Sequence, residues 1–247
     1  MTAQNTRTAA DPAAAAKRRR RQALRNVAVA TGSTVLVAGF LVGVFFAFGE
    51  AGDVIAATPE ATASAEIGDA SVVVEVSGDR IRVGAPEAAT TMAIWEDFAC
   101  GHCREYETQI GPTVQELVAG GSLAVEYHLL DFVSDYSAVA GSAAACVATE
   151  QPDVFFTVHA TLFAIRENAE DEYSAEQLES YLETAGVTDE GALECIGQAR
   201  YGDWVAQNAG AARDAGITST PTVRINGEDI GRVDAAQLRD LVAQNAG

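Results

Sequence analysis

The motif Cys100-Gly101-His102-Cys103 constrains this chain most, because it places two thiols where a predicted strand meets a predicted helix. The apolar residues 91–98 precede the motif, and apolar residues at helical spacing follow it. Two cysteines at this spacing can close a small disulfide ring. A thiol at a helix N-terminus is stabilised as a thiolate by the helix dipole and the free N–H groups. The motif therefore predicts a redox-active dithiol with Cys100 as the exposed nucleophile.

The same spacing of two cysteines also occurs in haem-attachment and zinc sites. Attachment of a c-type haem requires a His directly after the second Cys, but Arg104 stands there, so haem is excluded. A zinc site needs four ligands, and the remaining cysteines, Cys146 and Cys195, form no second Cys-x-x-Cys pair. Redox use is favoured, with metal binding and a purely structural bridge as the alternatives.

An uncharged stretch of 22 residues, 27–48, is long enough to cross the hydrocarbon layer of about 30 Å as a helix. Six basic residues lie within 17–25, just before it, whereas the acidic Glu50 and Asp53 follow it. The positive-inside rule then predicts a single-pass cell-membrane protein with a cytoplasmic N-terminus and an extracytoplasmic domain. A cleaved signal peptide is the alternative, although its apolar core is usually only about 7–15 residues long.

Charge and composition divide the chain at the same place. Residues 1–26 carry a net charge of +6. Because the whole chain carries −19, the remaining residues carry −25. So acidic a domain argues against nucleic acid as a ligand. The sequence predicts a basic cytoplasmic tail over 1–26, the membrane helix over 27–48, a flexible linker over 49–70 and a folded domain over 71–247.

The pattern of the folded domain is α/β. A hairpin is predicted over 71–83, a strand over 91–95, a helix ending near 118 and a strand over 123–130. Strand, helix, strand in this order predicts two parallel strands. Four helices should follow, over 136–149, 154–167, 174–185 and 190–215, and then a strand over 222–225 and a helix over 234–244. A helical block at about 131–216 is therefore predicted to interrupt a sheet domain.

The chain resembles a known family, the DsbA-like thiol:disulfide oxidoreductases of the thioredoxin fold. Residues 97–103, Asp-Phe-Ala-Cys-Gly-His-Cys, are similar to that family's active-site segment, and Thr220-Pro221 is similar to its cis-proline loop. The resemblance covers about residues 71–245 and implies a thioredoxin-like fold with an inserted helical domain. It also implies that the Thr220–Pro221 bond is cis and lies against the dithiol, although only about 5–6% of X–Pro bonds in folded proteins are cis.

The resemblance implies a role for each site residue. Cys100 forms a mixed disulfide with the substrate and Cys103 resolves it. The imidazole of His102 stabilises the Cys100 thiolate. Thr220 offers backbone groups to an extended substrate, and Pro221 keeps the thiols from capturing a metal ion. No cofactor and no metal are expected.

Two positions depart from the family pattern. Many relatives carry Pro where Gly101 stands, and a Gly-His pair also occurs in disulfide isomerases. Ile94 stands where thioredoxin-like proteins often carry a buried acid that moves the proton of the resolving thiol. Glu126 or Glu96 is the candidate replacement. His128 and His159 are interpreted as ordinary residues of the fold.

Cys146 and Cys195 fall in two different helices of the predicted block. They are either two buried thiols or a structural disulfide that holds the block together, and an extracytoplasmic location favours the disulfide.

The sequence thus predicts a membrane-anchored, extracytoplasmic enzyme that forms disulfides in reduced secreted or envelope proteins. The resemblance implies reoxidation by a quinone-linked membrane protein of the DsbB or VKOR type. A reductase or isomerase fed by a membrane electron donor is the first alternative. A metal-binding chaperone that uses Cys100 and Cys103 as ligands is the second.

Overall fold

The computed structural model describes residues 57–166 and 172–245. The predicted cytoplasmic tail (1–26) and membrane helix (27–48) lie outside these residues. Within the described part of the chain, no helix combines the length and the apolar character that crossing a membrane requires.

A sheet of seven strands forms the centre of the domain, with the strand order β1-β2-β3-β5-β4-β6-β7. The strands are β1 (Ala61–Ile67), β2 (Ala70–Ser77), β3 (Arg80–Gly84), β4 (Thr90–Glu96), β5 (Leu123–Leu129), β6 (Thr222–Ile225) and β7 (Glu228–Asp229). Strands β4 and β5 run parallel, and every other neighbouring pair is antiparallel. The predicted parallel pair is confirmed.

Seven helices accompany this sheet in the described residues. They are α1 (Gly101–Ala119), α2 (Asp135–Glu150), α3 (Phe155–Ile165), α4 (Ala175–Thr184), α5 (Glu190–Gly197), α6 (Gly202–Asp214) and α7 (Ala235–Asn245). Helix α1 connects the parallel strands and continues through Pro112. Helices α2 to α6 lie between β5 and β6 in the chain, so the predicted helical block interrupting the sheet is confirmed.

The prediction of a linker over residues 49–70 is wrong for its last part. Residues Ala61–Ile67 form strand β1, which pairs with β2 over seven positions through the turn at Gly68. Small and polar residues alternate along this segment, and Ala65 is buried. A period of two marks a strand, but alanine carries so little apolar surface that the alternation is easily missed.

The helix predicted over residues 190–215 is also wrong as a single element. It divides into α5 and α6, because the chain leaves the helix at Gln198 and Ala199 takes a left-handed conformation with φ 45°. The Arg200 N–H then bonds back to the Cys195 carbonyl at 3.2 Å, which closes the end of α5.

Helix α1 packs on the sheet through the apolar stripe that its spacing predicts. Tyr106, Ile110 and Val114 are buried on this stripe, and Met92 and Ile94 of β4 are buried in the same core. The end of β4 and the beginning of α1 are therefore fixed to each other, and the dithiol lies at this junction.

Candidate active site

The two predicted redox cysteines lie at the start of helix α1. Cys100 is the N-cap residue and is partly exposed, whereas Cys103 lies in the first turn and is 2% exposed. Both are free thiols. The Arg104 N–H donates to the Cys100 carbonyl at 3.1 Å, so the nucleophile's backbone belongs to the helix's hydrogen-bond ladder. One sulfur can thus meet a substrate while the other is kept from it.

The surroundings divide the proton between the two thiols unequally. The pKa of Cys100 is lowered to about 5, mainly by a hydrogen bond from the Cys103 side chain. Thr220 and the main-chain N–H groups of Cys103 and His102 lower it further, whereas burial opposes the shift. The pKa of Cys103 is raised by its hydrogen bond to Cys100, by burial and by the charges of Cys100 and Glu96. At neutral pH the site therefore holds a Cys100 thiolate beside a Cys103 thiol.

The residues between the cysteines face solvent. The side chain of His102 is 74% exposed, and its Nδ1 lies 3.9 Å from a carboxylate oxygen of Glu105. Its main-chain N–H, rather than its imidazole, is among the groups that lower the pKa of Cys100. A Cβ at Gly101 would meet no atom within 4 Å. The main chain of His102 therefore acts on the Cys100 thiol, and the role expected of the imidazole stays a prediction.

The Thr220–Pro221 bond is cis, as the resemblance implied, and it lies against the dithiol. The Thr220 carbonyl lies 3.6 Å from Cys100 Sγ, across 120 positions of sequence, and accepts a hydrogen bond from this sulfur when Cys100 is protonated. Strand β6 begins directly afterwards at Thr222 and pairs with β4 at Trp95. The pairing of β4 with β6 is therefore what brings Thr220 and Pro221 to the reactive sulfur.

A buried aspartate, whose role sequence reasoning missed, supports the loop before Cys100. Asp97 is fully buried and accepts hydrogen bonds from the Ala99 N–H at 2.7 Å, the Val133 N–H at 2.9 Å and the Ser137 hydroxyl at 2.6 Å. Burial raises the pKa of Asp97, and these hydrogen bonds oppose the rise. Ser137 belongs to α2, so the helical block takes part in holding the active-site loop.

A second buried polar group lies behind the dithiol. Nε2 of His159 shares a hydrogen bond of 2.5 Å with Glu96, and its Nδ1 lies 3.6 Å from Glu107. Glu96 and Glu126 are the two candidates for the missing acid. Glu96 is 3% exposed, and its charge raises the pKa of Cys103, whereas Glu126 forms an ion pair with Arg80 at 3.0 Å. The sequence offered no signal for this arrangement, because Glu96 and His159 are 63 positions apart.

The remaining two cysteines form a disulfide, as the sequence favoured. Cys146 of α2 and Cys195 of α5 are both fully buried, and their Cα atoms are 5.7 Å apart. The bond joins two helices of the inserted block. In the described residues, no group of three or more His, Cys, Asp or Glu side chains could hold a metal ion.

Comparison with known proteins agrees with this geometry. The sequence model of a thioredoxin family, described as "Thioredoxin", matches residues 76–244. Reduced DsbA from Mycobacterium tuberculosis is 28% identical, with a TM-score of 0.62 over 69% of this chain and 93% of that one. Reduced DsbG from the same organism, a disulfide bond oxidoreductase, is 30% identical, with a TM-score of 0.61 over 69% and 88%.

Two further similarities show less about this chain. The serine/threonine-protein kinase PknE of Mycobacterium tuberculosis is 30% identical over 137 residues, which are 51% of this chain and 24% of the kinase. The chain thus spans about a quarter of the length of that relative. BdbD from Bacillus subtilis, at 19% identity and a TM-score of 0.59 over 76% of this chain and 98% of that one, shows the fold alone. The chain belongs to the thioredoxin family, and its domain is a thioredoxin-like domain of the DsbA type of thiol-disulfide oxidoreductases.

Proposed function

We propose that this domain forms disulfides in other proteins and that it acts outside the cytoplasm. The observation that carries the proposal is the unequal pair of thiols: Cys100 is the partly exposed N-cap of α1, and Cys103 is buried in its first turn. The pKa is accordingly lowered at Cys100 and raised at Cys103. A stabilised thiolate favours the reduced form of the dithiol, and a disulfide whose reduced form is stabilised is a strong oxidant.

The reaction transfers two electrons from the substrate to the Cys100–Cys103 disulfide. A substrate thiolate attacks Cys100 Sγ, and the intramolecular disulfide breaks with its electron pair on Cys103, which takes a proton. A second substrate thiolate attacks the substrate sulfur of the mixed disulfide. The substrate leaves with a new disulfide, and Cys100 leaves as the thiolate that its surroundings stabilise.

The position of Thr220 supports binding of an extended substrate segment beside Cys100. Its carbonyl lies 3.6 Å from Cys100 Sγ. Main-chain groups of Thr220 would pair with the substrate backbone, as an added strand does. Pro221 follows directly and fixes this backbone by its cis bond.

Substrates under this proposal are reduced secreted or envelope proteins, and a quinone-linked membrane protein of the DsbB or VKOR type would reoxidise the dithiol. The uncharged residues 27–48, with basic residues on one side only, would anchor the domain to the membrane on its extracytoplasmic side. Protease added to intact cells should then degrade the domain and spare the basic tail. A soluble protein beginning near Glu50 would overturn the anchoring.

The test of the proposed function is the redox equilibrium of the dithiol with glutathione. The potential should lie at about −120 to −180 mV, well above the roughly −270 mV of thioredoxin. Cys103→Ala should trap mixed disulfides through Cys100, and Cys100→Ala should trap none. A potential near that of thioredoxin would refute the disulfide-forming direction and favour a reductase.

A further inference from the structure

His159 is a buried histidine held between two carboxylates. It is fully buried, with Nε2 bonded to Glu96 at 2.5 Å and Nδ1 3.6 Å from Glu107 without a hydrogen bond of its own. Burial alone would lower the pKa of His159, but the two carboxylates raise it to about 10. The pKa of Glu96 is also raised, mainly by burial. The hydrogen bond between Nε2 and Glu96 requires one proton, which the two residues share.

One end of this group lies where β4 ends, just before the helix whose first turn carries the resolving thiol. Glu96 is on the same face of β4 as Ile94, two residues nearer the dithiol, because side chains on one face of a strand recur every second residue. The negative charge of Glu96 is one of the causes that raise the pKa of Cys103. Glu96 is thus a buried carboxylate at the end of β4 whose charge acts on the buried thiol.

The other end lies at the surface. The side chain of Glu107 is 12% exposed and lines a groove between α1 and α3, together with Thr108 and Ala160. The carboxylate folds back over Gly111, where a Cβ would lie 2.8 Å from Glu107 Cδ. The glycine therefore leaves the space in which Glu107 can reach His159.

We propose that Glu96, His159 and Glu107 form a proton path between the buried Cys103 thiol and water in the groove between α1 and α3. The inference rests on the proposed function, because it supplies the proton step of the same dithiol. The three residues act through Cys103 and need no contact with the substrate.

The protons balance in both directions of the dithiol reaction. When Cys103 attacks a mixed disulfide at Cys100, its S–H proton passes to Glu96, the proton held by Glu96 and His159 moves on to Glu107, and Glu107 releases a proton to water. The Cys103 thiolate forms the new S–S bond, and the departing thiolate carries the electron pair away. When a substrate thiolate opens the disulfide, the same transfers run inward and protonate Cys103.

Among the described residues, the other ionisable groups near His159 do not supply a second route. Tyr127 of β5 lies with its ring centroid 4.6 Å from that of His159, and burial raises its pKa well above 10, so the phenol stays protonated. Asp97 acts on Glu96 by its charge, but its own oxygens accept three hydrogen bonds from the loop and α2. Phe98 and Phe163 cover the imidazole with apolar rings.

The test measures the step in which Cys103 loses its proton. The reduced full chain is mixed with excess oxidised glutathione and quenched with acid, and the Cys100–glutathione adduct is followed by mass as it resolves. Glu107→Gln and His159→Gln should slow resolution near pH 7 by about 10- to 100-fold, while adduct formation at Cys100 keeps its rate. The deficit should shrink as pH rises, because hydroxide then takes the Cys103 proton directly.

Gly111→Ala gives a second, milder variant. It keeps every ionisable group, but its methyl group displaces the Glu107 carboxylate, and the flexible end of that side chain can move at little cost. Slower resolution is expected here as well. Matched controls are Glu116→Gln on the same helix, His128→Gln at another buried histidine, and Gly210→Ala, where a Cβ would meet no atom within 4 Å.

Unchanged resolution in Glu107→Gln and Gly111→Ala would overturn the proton path, as would an equal slowing at every pH, which indicates a structural role. If His159→Gln does not fold, Glu107→Gln and Gly111→Ala still test the proton path. The proposed function is judged by the equilibrium with glutathione and the proton path by the rate of resolution. Either can therefore fail while the other stands.

Discussion

Arg166, the residue after helix α3, donates a hydrogen bond of 2.8 Å from Nη1 to the main-chain carbonyl of Ala99. Ala99 directly precedes the reactive Cys100, so the inserted helical block touches the backbone that positions the nucleophile. The same guanidinium bonds Glu172 at 3.0 Å and lies over the ring of Tyr136 at 5.5 Å. A single buried cation therefore joins the helical block to the active-site loop.

Arg166→Gln should lower the free energy of unfolding by about 2–4 kcal/mol, because the Ala99 carbonyl is left buried without this charged donor. Denaturant unfolding with an unchanged m-value measures the loss. Arg200→Gln is the control, since Arg200 is a third exposed and lies 3.9 Å from Glu194, and it should change stability by less than about 0.5 kcal/mol. Equal stability of the two variants would contradict the role of Arg166.

When the reduced dithiol is titrated, one thiolate should form near pH 5. The ultraviolet absorbance of the thiolate measures this step. Cys103→Ala should raise this midpoint, because the hydrogen bond from Cys103 is the largest cause of the low pKa of Cys100. His102→Ala should shift the midpoint less, since the main-chain N–H of His102 remains. A larger shift in His102→Ala than in Cys103→Ala would show that the imidazole stabilises the thiolate.

The stability of the reduced domain relative to its oxidised form should depend on pH in a defined direction. The pKa of Cys100 falls from 9.0 to about 5 on folding, so its stabilisation is complete above pH 9 and declines as pH falls toward 5. The raised pKa of Cys103 lowers the stability of the reduced domain only above pH 9, where the thiol of the unfolded chain would ionise. Unfolding of both forms from pH 4 to 8 measures the difference, and a flat difference would contradict the low pKa.

Replacing both cysteines of the Cys146–Cys195 disulfide by Ala should lower the free energy of unfolding by about 4 kcal/mol on the chain-entropy model. The dithiol should keep its reactivity, because the bond joins α2 and α5 and not the active-site loop. Denaturant unfolding and the glutathione equilibrium check the two parts. Lost reactivity at unchanged stability would instead indicate an electron relay.

Local sequence patterns predicted the elements around the dithiol. An apolar run before Cys100 and helical spacing after Cys103 are short-range signals, and they placed β4 and α1 within one or two residues. The turn at Gly78 and the short β-branched run before it likewise predicted the hairpin of β2 and β3. These elements form where local propensity and core packing agree.

Long-range partners could not be read in this way. The Glu96–His159 bond and the Arg166–Ala99 bond join residues 63 and 67 positions apart, and nothing local marks either pair. The sequence gives no sign that His159 differs from an ordinary residue of the fold, because its carboxylate partners lie far away in the chain. The strand β1 was missed because it depends on pairing with β2 more than on its own weak apolar character.

The two residues between the cysteines face outward, so the surface that an approaching thiol meets can change independently of the packing of the fold. Gly101 has open space around it, and His102 projects into solvent. New side chains at these positions would alter what an approaching thiol or partner meets without disturbing the packing under the sheet. Substitutions at these two positions can therefore change which thiols and partners approach Cys100 at little risk to folding.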